Sequence, residues 1–136
     1  MNFNQIHICD HIGLFTVHPQ RLLNFYIQIM EFEKISDTVL DKSIMKSIFG
    51  LNMACRFIKL SKGELMVEIF TPLAPMKVSN TKTRIGINHF GYRLKNKNKF
   101  IQSLRKKKQK LLTIKKGGHT IFFIKDPDGN LIELRD

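Results

Sequence analysis

Cysteine is scarce in this chain, with two residues in 136. Two thiols cannot build a disulfide scaffold, so Cys9 and Cys55, each in apolar surroundings, are expected to be reduced core residues of a cytoplasmic protein. No uncharged stretch approaches the roughly 18 to 20 apolar residues that a membrane helix requires. Met1 to Gln5 is polar and lacks the basic-then-apolar layout of a signal peptide. There is no glycine-rich phosphate loop, and no local Ser-His-Asp or Cys-His arrangement supports nucleophilic catalysis. Acidic residues are missing altogether between Glu68 and Asp126.

What is present suffices for one domain over residues 1–136: 43% of the chain is hydrophobic and 25% charged, so a core can form and disorder is excluded. The charge is one-sided. Twenty-three Lys and Arg against eleven Asp and Glu give a formal +12, and the pI is about 10.0. Such a field favours anionic partners, and a small anionic substrate is expected. Arg93 to Lys116 holds eleven of the basic residues. The run from Arg105 to Lys108 lies on the outer face of a helix whose Phe100, Ile101 and Leu104 face inward. With no aromatics interleaved, it reads as a solvated face rather than a nucleic-acid surface.

Apolar alternation predicts strands at about Ile6–Val17, Phe32–Leu40, Met53–Leu60 and Glu64–Thr71. A second set is predicted at about Gly86–Leu94, Lys110–Ile114, Thr120–Lys125 and Leu131–Arg135. Helices are predicted from Pro19 to about Met30 and from Asn98 to Gln109; Pro19 suits a helix's first position, and Leu22, Leu23, Tyr26, Ile27 and Met30 form one stripe. The order is strand, helix, three strands, then the same again. Module one spans about 5–72, a linker about 73–84, and module two about 85–136.

The halves share more than element order. Asp10-His11-Ile12-Gly13-Leu14 opens the first and Asn88-His89-Phe90-Gly91-Tyr92 the second; each half ends with a glutamate inside an apolar strand, Glu68 and Glu133. A lone strand histidine is ordinarily a packed core residue, and a lone strand glutamate ordinarily faces solvent or meets a lysine or arginine. Four such residues in matching register ask for a common explanation. Both faces of the strand around Glu68 are apolar, so its carboxylate must be paired or metal-bound. Two imidazoles and two carboxylates suit one divalent ion, Zn, Ni, Mn, Co or Fe, with coordination positions left for substrate. The metal ligands expected are His11, Glu68, His89 and Glu133. His7 shares a strand face with His11 and could replace it. His18 reads as a loop or cap residue, and His119 as a strand start or a pocket wall. In Lys125-Asp126-Pro127-Asp128-Gly129-Asn130, proline and glycine set a turn whose role is architectural, fixing the register that aims Glu133.

With these residues in hand, the chain resembles the vicinal oxygen chelate superfamily of glyoxalases, epimerases, extradiol dioxygenases and fosfomycin or bleomycin resistance proteins. The most specific match is the run from Phe122 through Asp126-Pro127-Asp128-Gly129 to Leu134; Asp10 to Leu14, with Asn24-Phe25-Tyr26, and Asn88-His89-Phe90 add to it. The resemblance implies an α+β fold of two tandem βαβββ modules forming a cupped mixed sheet around a metal site. A glutamate at position 68 implies the glyoxalase and epimerase branches, hence a metal-dependent lyase or isomerase that moves a proton next to a carbonyl through a metal-stabilised enediolate. Glu133 is then the expected proton carrier, with Glu68 facing it. Phe15 and Pro72 stand where glutathione-using bacterial members carry arginine and asparagine, which puts glutathione in doubt. The resemblance also admits a resistance or thiol-transfer protein and a metal-free binding module, and it makes a homodimer an expectation.

Overall fold

A computed structural model of the chain describes residues 9–78 and 86–136. His7, the start of the first expected strand and the second half of the expected linker lie outside that range. The first module runs β1 (His11–Phe15), α1 (Pro19–Asn24, continuing as a π-helical turn over Phe25–Ile29), β2 (Glu33–Leu40), α2 (Lys42–Phe49), β3 (Cys55–Lys62) and β4 (Leu65–Pro72). The second runs β5 (His89–Arg93), α3 (Lys97–Lys106), β6 (Leu111–Lys116), β7 (His119–Lys125) and β8 (Leu131–Arg135).

Each module forms its own four-stranded mixed sheet, in the orders β1-β4-β3-β2 and β5-β8-β7-β6. In each, the first strand lies parallel to the last and the other neighbours are antiparallel. The expected α+β architecture of two repeated modules is thus observed. The registers match as well: His11 pairs with Met66 and Gly13 with Glu68, while His89 pairs with Leu131 and Gly91 with Glu133. Because strand side chains alternate, each sheet carries its histidine and its glutamate on one face. The opposite face is apolar and buried; Ile58, Leu60, Val67 and Ile69 in the first sheet and Ile124, Ile132 and Leu134 in the second are fully or nearly fully covered.

Compact units do not follow chain order. One takes the chain to Pro19 and Glu31–Met76; the other takes Gln20–Met30 and the chain from Lys77 onward. Within the second unit the buried Tyr26 donates its hydroxyl to Asp126, so α1 belongs structurally with the Asp126–Asn130 turn. That turn is observed as expected, with Gly129 at φ 87 and its N–H donating to the Asp126 carbonyl.

Three expectations need correction. Helix α2 lies between β2 and β3, where no element is expected. Its start is capped by Asp41, which accepts from the Ile44 N–H, and its end by Gly50 in the left-handed region. Module two has no counterpart: its corresponding strands are joined through Gly117 and Gly118. Cys9 is exposed rather than in the core, whereas Cys55 is buried. Among the described residues Cys9 precedes the first sheet-paired one, His11, and none of their strands pairs with it. Finally, α3 stops at Lys106 instead of Gln109, because Lys108 takes a positive φ of 56 and turns the chain toward β6.

Candidate functional site

Glu68 occupies the middle of β4, and its side chain keeps only 12% of its exposure, whereas His11 beside it keeps 45%. The carboxylate is therefore sunk into the sheet face and the imidazole closes over it. His11 Nε2 and Glu68 Oε2 lie 3.3 Å apart. The second module repeats this at 3.6 Å between His89 Nε2 and Glu133 Oε2, with the carboxylate side chain 17% and the imidazole 41% exposed.

The residue before each histidine fixes the ring. Asp10 Oδ2 lies 2.9 Å from His11 Nδ1, and Asn88 Oδ1 lies 2.5 Å from His89 Nδ1. Both partners are acceptors, so Nδ1 carries the proton and Nε2 is the nitrogen turned toward the glutamate. In a neutral ring Nε2 is itself an acceptor. It then faces an acceptor oxygen, and the contact is favourable only with a proton or a cation between them. A second-residue carboxylate or amide that holds Nδ1–H is also how metal-ligating histidines are ordinarily oriented.

The glutamates are held from the other side. Lys59, the cross-strand partner of Glu68, places Nζ 3.6 Å from Oε1, and Arg135 places Nη1 3.4 Å from Glu133 Oε1. One oxygen of each carboxylate is thus tied to a cationic side chain while the other faces a histidine. At Gly91, two residues after His89, the missing side chain is what lets Glu133 stand there. A Cβ at Gly91 would lie 3.3 Å from the Glu133 Cβ and 3.7 Å from its Oε2, while at Gly13 the nearest contact would be the Phe70 ring at 3.5 Å.

These pairs fit a metal ion as far as each reaches. Two donors each about 2.1 Å from one ion are about 3.0 Å apart at a right angle and about 3.4 Å apart at the tetrahedral angle. The observed separations lie close to these. Among the described residues, no group of three or more His, Cys, Asp or Glu side chains that could hold a metal ion is assembled; what each module displays by itself is a two-donor pair.

The surroundings of the two pairs differ. Beside His11 and Glu68 lies a cavity of about 520 Å³ lined by Phe15, Phe49, Leu51, Phe70 and Met76. Beside Glu133 lies a polar one of about 690 Å³, lined by Arg93, Lys97, His119 and Arg135 among others. His119 therefore both starts β7 and lines a cavity; His18 sits in the bend before α1, its N–H donating to Thr16 Oγ1. Sequence reasoning overlooked Asp10, Asn88, Lys59, Arg135 and the two glycines as site residues. For Asp10 and Asn88, and for Gly13 and Gly91, the signal was their equivalent place in the two opening motifs.

A mixed four-stranded sheet repeated once, each copy with a histidine and a glutamate face to face, defines the class. A family profile confirms it: the chain belongs to the Glyoxalase/Bleomycin resistance protein/Dioxygenase superfamily, matched over residues 8–134. No curated protein matches the chain. Among solved structures, a glyoxalase family protein from Bacillus cereus superposes with a TM-score of 0.71 at 12% identity, over 98% of this chain and 96% of that one. A glyoxalase family protein from Enterococcus faecalis gives 0.66 at 21% identity over 100% of both chains. The trypanothione-dependent glyoxalase I of Leishmania major gives 0.66 at 16% identity, over 96% of this chain and 87% of that one. At these identities the similarity establishes the fold. No helix among the described residues is long and apolar enough to cross a membrane.

Proposed function

We propose that this protein is a divalent-metal-dependent lyase or isomerase of the glyoxalase type, moving a proton at a carbon next to a carbonyl. The ligands assigned are His11 and Glu68 from module one and His89 and Glu133 from module two. The observation that carries this reading is the twice-repeated pair: a sunken carboxylate 3.3 or 3.6 Å from an imidazole whose other nitrogen is held by the preceding residue. When bound, a divalent ion supplies Lewis-acid stabilisation of the charge that develops on the substrate oxygens.

The chain's own residues supply the rest. Glu133 is the proton carrier, since its Oε2 faces the histidine and its cavity is open and polar. Arg135 holds Oε1 and so keeps the carboxylate aimed while Oε2 exchanges partners. Lys59 restrains Glu68 in the same way from the neighbouring strand. Arg93, Lys97 and Arg135 line that cavity together with Glu133 and Asp136, and the chain's formal +12 suits an anionic substrate.

The test is elemental mass spectrometry on tag-free protein after incubation with Ni, Co, Zn or Mn, beside His11→Ala and His89→Ala. About one ion per chain, lost in the variants, supports the reading. Hemithioacetals and α-keto thioesters are then screened for exchange of the substrate proton with deuterated solvent, with Glu133→Gln as the inactive control. No ion in any protein leaves a metal-free binding module on the same scaffold as the better account.

A further inference from the structure

Helix α2 has no partner in the repeat, and its position gives it a purpose. Met45 is fully buried on Cys55 and Phe70, and Leu40, Leu51 and Phe57 pack around them. By register Phe70 and Phe57 share a sheet face with Glu68 and Lys59. The helix therefore roofs one end of the face that bears the His11–Glu68 pair. Its last residue, Phe49, meets the Phe70 ring edge-on at 5.2 Å, and Phe57 stacks on Phe70 at 4.8 Å. The result is a pocket with aromatic and aliphatic walls, in which, among the described residues, His11 and Glu68 are the only ionisable groups.

Phe49 stays exposed at 51%, and so do Phe15 at 42% and Met76 at 40%. Three apolar side chains left open around one buried carboxylate are poorly explained by packing alone. At about 520 Å³, the space lies in the range that binds small organic ligands, and its few polar groups stand at one end, as such sites require.

We infer that the substrate carries an apolar, aryl-sized group on the carbon next to its paired oxygens, and that this group seats against Phe49, Leu51 and Phe15 while the oxygens point to His11 and Glu68. The inference rests on the proposed function for the oxygens, but the apolar preference belongs to α2 and the loop after it.

Mandelate and lactate test this directly, because they present the same hydroxyl and carboxylate and differ in phenyl against methyl. Their binding is measured by calorimetry on cobalt-loaded and metal-free protein, and on Phe49→Ala and Leu51→Ala, with metal content and sedimentation recorded for each. The expected result is mandelate binding at least about tenfold more tightly than lactate, with the ratio falling to within about threefold in either variant. Metal content stays unchanged. Equal binding of the two acids, or no binding of either, to protein that holds cobalt overturns the inference and leaves the metalloenzyme reading standing. A mandelate preference in protein that takes up no cobalt upholds the inference and removes that reading instead. A dimer that Phe49→Ala dissociates, without any preference for mandelate, overturns it in favour of a second copy of the chain as the occupant.

Discussion

Tyr26 donates its hydroxyl to Asp126 Oδ2 at 2.9 Å, across 100 residues of sequence. Asp126 also accepts from the N–H groups of Asp128 and Asn130 and from Asn130 Nδ2. One buried carboxylate thus closes its own turn and anchors the helix that precedes β2. Burial pushes the Asp126 carboxyl above its ordinary value, against the pull of these donors. The Tyr26 phenol is raised well beyond its usual range, first by burial and then by that carboxylate.

Tyr26→Phe is expected to cost about 1–2 kcal/mol, since it leaves one lone pair of a buried carboxylate without its donor. The variant leaves the His–Glu pairs untouched. Urea unfolding should therefore show a lower midpoint at an unchanged slope, with metal content equal to that of the parent. The sign of the pH dependence follows from the raised carboxyl. A folded-state value above the unfolded one contributes stability below about 3.9 that is lost as pH rises through the folded value. Removing the Tyr26 donor raises that value further, so the variant's deficit should be larger at pH 7 than at pH 3.

The glycines differ in what they protect. Gly91 faces Glu133, and any Cβ there must push on that side chain; Gly13 faces a ring at ordinary contact distance. Gly91→Val is expected to lower metal affinity by an order of magnitude or more, at a cost of roughly 1–3 kcal/mol in stability. Gly13→Ala should bind metal within about twofold of the parent. Competition with a chromophoric chelator reads both, and equal affinity in Gly91→Val would show that Glu133 is not a ligand.

Much of this was legible in the sequence because the repeat prints each feature twice. The His11–Glu68 and His89–Glu133 pairs follow from strand alternation plus a parallel first and last strand, and the structure brings each pair together as the pattern implies. Helix α2 was harder to see. Its signals are in the chain, Asp41 as cap, Ile44, Met45, Ile48 and Phe49 at helical spacing, and Gly50 as stop. A reading built on two equal halves has no place for an element that only one half contains. Lys59 and Arg135 were illegible for another reason: which cation meets a given carboxylate is set by register and twist, and a basic chain offers many candidates.

Asp10 should matter through His11 alone. It is largely exposed, with 80% of its side-chain surface accessible, so its pairing contributes little to stability. Holding Nδ1–H is worth roughly 10- to 100-fold in metal affinity where such partners have been removed. Asp10→Ala is expected to fall in that range, with an unfolding midpoint unchanged, and Asp10→Asn, which retains an acceptor as Asn88 does in module two, should recover most of it. Titration with cobalt, followed by its visible absorption, distinguishes the three proteins.

The last expectation concerns acid stability and a pair remote from the site. Arg56 donates through Nε and Nη2 to both oxygens of Asp37, at 2.9 and 2.6 Å, linking β2 to β3. That guanidinium holds the Asp37 carboxyl at about 2, below its ordinary 3.8. A depressed carboxyl contributes stability that is complete above the ordinary value and is lost as pH falls through about 2. The pair is solvated, so its worth is less than about 1 kcal/mol despite the two-pronged geometry. Asp37→Asn should therefore be slightly less stable than the parent at pH 7. The gap should narrow below pH 4, be much reduced at pH 2, where the parent's carboxylate is itself half protonated, and vanish below it. A gap that stays constant from pH 7 to pH 2 in guanidinium-free thermal unfolding would mean that the link between β2 and β3 is carried by packing rather than by this ion pair.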